Sequence, residues 1–485
     1  MRTCIIVGLF IALAFVNADD WTMWGGKVGR NMVNDVEKNL PTKWDEETGE
    51  NIKWVVELGS QSYGNPVVSN GKVFVGSNNE GLKDPKIKGD KGNILCFNEK
   101  DGKFLWQAVH DKLNAGRVND WPLQGICSTP FIEGDRLYYV SNRCEVVCAD
   151  TEGFYDDEND GAQDEKYKGK DKADIIWTFD MIEELGVFPH NLATSSPIVV
   201  GDMVYLLTSN GVDEAHLNIP SPRAPSFIAV NKKTGELVWE NGDPADKILH
   251  GQWSSPAYGV VKGREQLVCP GGDGLVYSLD PKTGEVLWTF DCNPKDSVWE
   301  LGGHGTRNNL VSTPVIYDDK VYIGVGQDPE HGEGIGHLYA IDATGSGDIT
   351  KTHTIWHVGG KDFGRTMSTA AIRDGLMYNC DLAGFAYCID LEKGKVLWRH
   401  DMEAAIWGST IIADGKVYLG DEDGDVVVFA HSKEKKILGE SLLEGTIYTT
   451  PSPANETLYI ATQSRLYAIA STKKDEKKDE KKDEK

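Results

Sequence analysis

Acidic and imidazole side chains gather in residues 327–337, QDPEHGEGIGH, at Glu330, His331, Glu333 and His337. Carboxylate oxygens and imidazole nitrogens are the donors that hold a divalent metal. This spacing matches no strong zinc motif, however, and a Gly-rich polar loop is the simpler reading. Residues 156–161, DDENDG, alternate oxygen donors at Asp156, Glu158 and Asp160 in the manner of a calcium loop. Tyr167 stands where the bidentate Glu of position twelve belongs, which argues against calcium there. The acidic run at 421–425, DEDGD, reads as a short turn. No Ser/His/Asp order, phosphate loop or HExxH is present. The wider candidate set is Asp120, Trp121 and Gln124; His190 and Asn191; His250, Gln252 and Trp253; Glu300, His304, Arg307 and Asn308; Arg365; Trp407; and Tyr448. Each of these groups lies just ahead of a short apolar run.

Those runs belong to a repeat. CFNEKDGKFLW ends at Trp106, AVNKKTGELVW at Trp239, SLDPKTGEVLW at Trp288 and CIDLEKGKVLW at Trp398, each with a small residue, a Gly and a Trp at positions one, seven and eleven. A spacing held at intervals of several tens of residues marks a repeat architecture. Each unit opens at a Pro or its equivalent (Pro66, Pro130, Pro197, Pro256, Pro314, Ala370, Thr410, Pro451) and contains short Val/Ile/Tyr runs parted by Asn-Gly or Asp-Gly pairs. Such runs are antiparallel strands joined by tight hairpins. The units therefore predict an all-β, eight-bladed β-propeller of four-stranded antiparallel blades spanning 51–471.

The last unit supplies only three strands before the chain's charged end. Its missing strand is expected at 51–58, NIKWVVEL, so that Trp54 closes the ring. Trp54, Trp106, Trp177, Trp239, Trp288, Trp356 and Trp398 all fall at the ends of fourth strands, where they dock blade against blade, and Leu438 takes that place in the seventh unit.

Strand order divides the loops between two faces. The hairpin turns, such as Asn70-Gly71 and Lys233-Thr234-Gly235, lie below, and the longer loops 78–92, 111–126, 181–194, 209–225, 293–310 and 326–336 lie above. Function is expected on the upper face. Tyr63, Trp253, Trp407 and Tyr448 share one offset ahead of their strands, which predicts an aromatic collar at the channel mouth. A collar of that kind stacks a planar ligand or grips a peptide; the alternative is that its aromatics and histidines plug the channel and pin the loops.

A net charge of −25 excludes nucleic acid and anionic lipid as partners. Arg2, an apolar run over 4–16 and the Val16-Asn17-Ala18 end read as a signal peptide over 1–18, and about 13 apolar residues make only roughly 20 Å of helix against a ~30 Å hydrocarbon core. The mature chain is expected to be exported, periplasmic or secreted, monomeric and without a membrane span, with a lead-in at 19–50 and a charged tail at 472–485. Cys96, Cys148 and Cys388 take the small-residue slot held elsewhere by Ala229, Ser278 and Ala340, and read as buried thiols. Cys127, Cys144, Cys269, Cys292 and Cys380 are an odd set, and no pairing is assigned.

The small-x5-Gly-x3-Trp repeat resembles the tryptophan-docking motif of pyrroloquinoline-quinone (PQQ) repeat propellers, and WTMWGG from Trp21 resembles the lead-in of secreted members. The resemblance covers roughly 20–471 and is specific for the fold, not for the cofactor. The family includes quinoprotein dehydrogenases and non-catalytic members such as the BamB-type assembly factor. It therefore implies PQQ and calcium as cofactors of one branch. The adjacent-cysteine disulfide of quinoprotein alcohol dehydrogenases and the Cys-x-x-Cys-His of haem-bearing relatives are both missing, and no motif places the Glu, Asn and Asp calcium ligands. The expectation is a non-catalytic, BamB-like binding or scaffolding module whose partners are envelope or extracellular proteins or peptides, or a small planar ligand. The alternatives are a PQQ/calcium-dependent dehydrogenase with Asp120 as base, and recognition of a glycan or peptide.

Overall fold

The computed structural model describes residues 20–471; the leader expected at 1–18 and the tail expected at 472–485 lie outside them. Eight antiparallel sheets follow one another along the chain. Blade 1 is Val67–Ser69, Lys72–Asn78, Lys91–Asn98 and Phe104–Asp111, in that order. The next six blades repeat it, and blade 4 gains a fifth strand because Gly347–Asp348, from a turn of blade 5, pairs parallel with Val286–Asp291. Blade 8 holds Ser452–Ala454, Thr457–Ala461 and Arg465–Ile469 and is completed by Ile52–Glu57, with Trp54 opposite Ala468. The ring is closed by the N-terminal strand, and no inter-blade edge is left open at the seam.

The repeat spacing has a direct packing cause. Trp54, Trp106, Trp177, Trp239 and Trp356 each lie against the Gly of the next blade's turn. At Gly102 (φ +69°) a Cβ would come within 2.9 Å of the Trp54 ring, and at Gly284 (φ +74°) within 2.5 Å of the Trp239 ring. Only Gly supplies both the left-handed backbone and the room. The indole N–H then donates to a carbonyl of that same turn: Trp54 to Glu99, Trp106 to Thr151, Trp177 to Lys232, Trp239 to Pro281, Trp356 to Leu391 and Trp398 to Ser432. Trp288 differs. It donates to Gln266 Oε1 in its own blade, and Gln266 Nε2 reaches Ala343 O in the next, so a glutamine relays the contact. Cys96, Cys148 and Cys388 are buried in the small slot, and the described cysteines are free.

An inner strand's axis-facing edge has N–H groups that need acceptors. The lead-in provides them in ring order: Val68 N donates to Trp21 O, Ile132 N to Thr22 O, Tyr258 N to Val28 O, Ile316 N to Gly29 O and Ile412 N to Met32 O. Ile372 N donates to Asn31 Oδ1, and Asn34 Nδ2 to Pro453 O. Arg30, fully buried at φ +62°, donates to Ser196 O, Pro197 O, Pro256 O and Trp24 O. One short segment thus touches all eight blades on the axis side and fills the channel from below before running on to become the closing strand.

Candidate functional site

Above the lead-in, a cavity of about 370 Å³ opens toward the upper loops. Its deepest lining includes Trp24 of the lead-in and Asn65, Thr129, Ser196, Ser255, Ser409 and Thr450, which occupy the position just before each blade's opening residue. These side chains form a belt in which one blade's backbone N–H donates to the next blade's side chain. Asn65 N reaches Thr129 Oγ1 (3.0 Å), Thr129 N reaches Ser196 Oγ (3.0 Å) and Ser196 N reaches Ser255 Oγ (2.9 Å). Thr369 N reaches Ser409 Oγ (2.9 Å), Ser409 N reaches Thr450 Oγ1 (2.9 Å) and Thr450 N returns to Asn65 Oδ1 (2.5 Å). At blade 5 the pattern lapses, and the buried hydroxyls of Thr313 and Thr369 have no partner among the described residues.

Tyr63 stacks on Tyr448 (4.6 Å, 15°), and Trp407 packs edge-on against Tyr448 at 4.9 Å. Trp253 and Trp121 line the same cavity, as do Gln124 and Asn191. Trp407 is fixed by Glu422, which accepts its indole N–H, and Trp253 by His190 O. Arg117 lies over the Trp121 ring at 4.4 Å.

Other candidates hold the loops. Asp120 is not among the lining residues: Lys112, Leu113 N and Asn142 take its oxygens, and burial, opposed by Lys112, raises its pKa. Gln252 donates to Asn210 O and Ser226, Arg307 pairs with Asp291, and Arg365 joins Asn308 Oδ1 to His331 O. Asp156 accepts from Glu158 N, and Asp160 pairs with Arg136.

The imidazoles converge beside the cavity. His250 Nδ1 meets Asp328 Oδ2 at 3.0 Å and its Nε2 faces His216 Nε2 at 3.2 Å. The rings of His190 and His250 lie 4.4 Å apart, and His304 approaches both His216 and His331. His331 is held at both nitrogens, by Asp328 Oδ2 (3.1 Å) and Gly302 O (2.6 Å), and the Asp328 bond raises its pKa. Burial pushes Asp328 upward, but its bonds to His250 and His331 outweigh that and hold it below the ordinary carboxylate range. His216 and Asp328 were not singled out from sequence. His216 had no shared offset to mark it; Asp328 stood inside the 327–337 run as a plain loop acid.

His337 turns instead to His357, with Nδ1 and Nε2 3.1 Å apart. Burial, then His357, lowers the His337 pKa to about 4. Because the folded value lies below that of an unfolded His, this stability is present above about pH 6.5 and is lost as pH falls toward 4. His337 alone is expected to withdraw about 2 kcal/mol between pH 7 and pH 5. Urea unfolding at the two pH values, compared with His337→Gln, measures this; an equal loss in the variant rules the pair out as its source.

Among the described residues the cavity lining contains no Lys or Arg, and it includes the acids Asp328 and Glu330. A quinone bearing carboxylates finds no counter-charge there, so these residues do not fit PQQ. An apolar or cationic side chain fits them well.

The family model described as outer membrane protein assembly factor BamB matches residues 170–355 and 335–437, more than half of the chain. A tetrathionate hydrolase of Acidithiobacillus ferrooxidans is 23% identical over 223 residues, 42% of this chain and 38% of that protein. BamB of Yersinia pestis is 21% identical over 257 residues, 53% of this chain and 56% of that protein. The chain thus spans less than two thirds of either relative. A quinohemoprotein alcohol dehydrogenase structure from Pseudomonas putida superposes with a TM-score of 0.62 at 12% identity, covering 93% of this chain and 80% of that one. At that identity the likeness is one of fold.

Proposed function

The chain belongs to the family described as outer membrane protein assembly factor BamB, and from that premise we propose that it is a non-catalytic binding module of the cell envelope that grips a segment of a partner protein in its upper-face cavity. The observation that carries this reading is the cavity's chemistry: a floor of Trp24 and small hydroxyls, a rim of Tyr63, Trp407, Tyr448 and Trp253, and the half-exposed Glu330 carboxylate, with no Lys or Arg among the described lining residues. Aromatic rings and carboxylates together favour a projecting apolar or Lys/Arg side chain. The family's printed role in outer membrane assembly and the leader-like opening of the sequence support an envelope setting. Among the described residues no helix is long and apolar enough to cross a membrane.

A photocrosslinking residue at position 407 is expected to give discrete protein adducts with an envelope fraction. The same residue at position 233, in a turn of the opposite face, is expected to give none of them. Tyr63→Ala with Trp253→Ala should cut the yield about tenfold or more, as loss of central aromatic anchors does. Equal adducts from both positions would defeat the reading. So would alcohol-dependent dye reduction by the protein mixed with PQQ and calcium, which is the result a dehydrogenase gives.

A further inference from the structure

We propose that His190, His216 and His250 bind one divalent transition-metal ion, zinc foremost, at the edge of the upper-face cavity. One ring nitrogen from each lies within 4.8 Å of the others. His250 Nε2 and His216 Nε2 are 3.2 Å apart. Two imidazole nitrogens on one tetrahedral zinc, each at 2.0–2.1 Å, stand about 3.3 Å apart, so this pair already has the required spacing. The third imidazole has to move inward by on the order of 1 Å to complete the set.

Two of the three rings are held from outside the cluster. His190 Nδ1 donates to Val212 O at 2.8 Å, which leaves the lone pair on Nε2. That Nε2 is buried and has no hydrogen-bond partner among the described residues, in a residue only 1% exposed. A buried lone pair with nothing to accept costs free energy unless a proton donor or a metal meets it. His250 Nδ1 is engaged by Asp328, which orients the ring and turns its Nε2 toward His216. Carboxylate or carbonyl behind imidazole, with the far nitrogen turned toward the other imidazoles, is the outer arrangement that metal-ligating histidines carry. His331 differs: both of its nitrogens meet oxygen acceptors, Asp328 Oδ2 and Gly302 O, so neither turns toward the other imidazoles and the ring buttresses Asp328.

The three ligands come from three separate loops, and His216 sits at φ +58°, an uncommon backbone state for a residue with a side chain. Glu330 Oε2 is 3.9 Å from His250 Nε2 and lines the cavity, so the position left open by three imidazoles faces the same space as the aromatic rim. An ion held this way neutralises part of the acidic wall and orders the loops around it. This inference stands apart from partner capture: the protein can bind metal and no peptide, or the reverse.

The test uses the untagged full chain stripped with a chelator. Zinc titrated against a chromophoric competitor is expected to bind at one equivalent with a Kd of roughly 1 μM or tighter, and cobalt is expected to give the intense visible bands of a tetrahedral site. His190→Ala and His216→Ala should each weaken zinc by about 100-fold, and Asp328→Asn by about 10–100-fold. His216 is only partly buried, so its variant keeps the test valid if His190→Ala fails to fold. His357→Gln, which disturbs the other close imidazole pair, should leave the affinity within about twofold. Affinity unchanged in His216→Ala, or an equal loss in His357→Gln, overturns the site, as does a failure to bind zinc at all.

Discussion

Arg30→Ala is expected to destabilise the ring by about 3–5 kcal/mol, the scale of breaking a buried charge-centred network. The guanidinium is fully buried and donates to four carbonyls drawn from the lead-in, blade 3 and blade 4. Burial lowers its pKa to about 9, still above neutrality, so the group folds as a cation solvated by carbonyl dipoles alone. Removing it strips those carbonyls of their donor in a place water does not reach easily. Urea unfolding followed by tryptophan fluorescence reads the loss. Arg30→Lys should recover only part of it, because an ammonium cannot span the fork of acceptors. A cost below about 1 kcal/mol for Arg30→Ala would mean that the lead-in rests on the ring without holding it.

Trp54→Ala should cost a similar 3–5 kcal/mol and should also change the state of association. The indole packs beside Tyr459 at 5.9 Å between ring centroids, rests against Gly102 and donates to Glu99 O, joining blade 8 to blade 1. Its strand is the outer member of blade 8, paired only with Arg465–Ile469. When that strand loosens, a sheet edge is exposed and the chain gains a route to edge-to-edge oligomers. Light scattering at rising concentration tests this, and Trp299→Ala, which truncates an indole 43% exposed, should stay monomeric and lose under about 1 kcal/mol.

The ring and its closure were legible because they rest on local, repeated chemistry. A Gly that must admit an indole and a Trp that must reach the next turn recur at one spacing, and a strand missing at one end appears at the other. Tyr63, Trp407 and Tyr448 could be grouped for the same reason, through a shared offset. The lead-in left no such trace. Its bonds to the ring are divided between backbone groups, which carry no residue signature, and the side chains of Arg30, Asn31 and Asn34, which follow no repeat spacing. The histidine cluster was legible only in part, since His190, His216, His250 and Asp328 come from loops far apart in sequence and no spacing rule links them. The Gln266 relay at Trp288 was equally hidden, because one side chain replaced a direct contact without altering the motif.

Since the lead-in occupies the axis beneath the cavity, the propeller is a vessel with a single doorway. No polypeptide can be threaded through the ring, so an occupant has to present a tip, a loop or a chain end, and has to depart by the route it took in. Two different guests therefore exclude one another outright, and the residence time of the first sets the earliest moment at which a second can arrive.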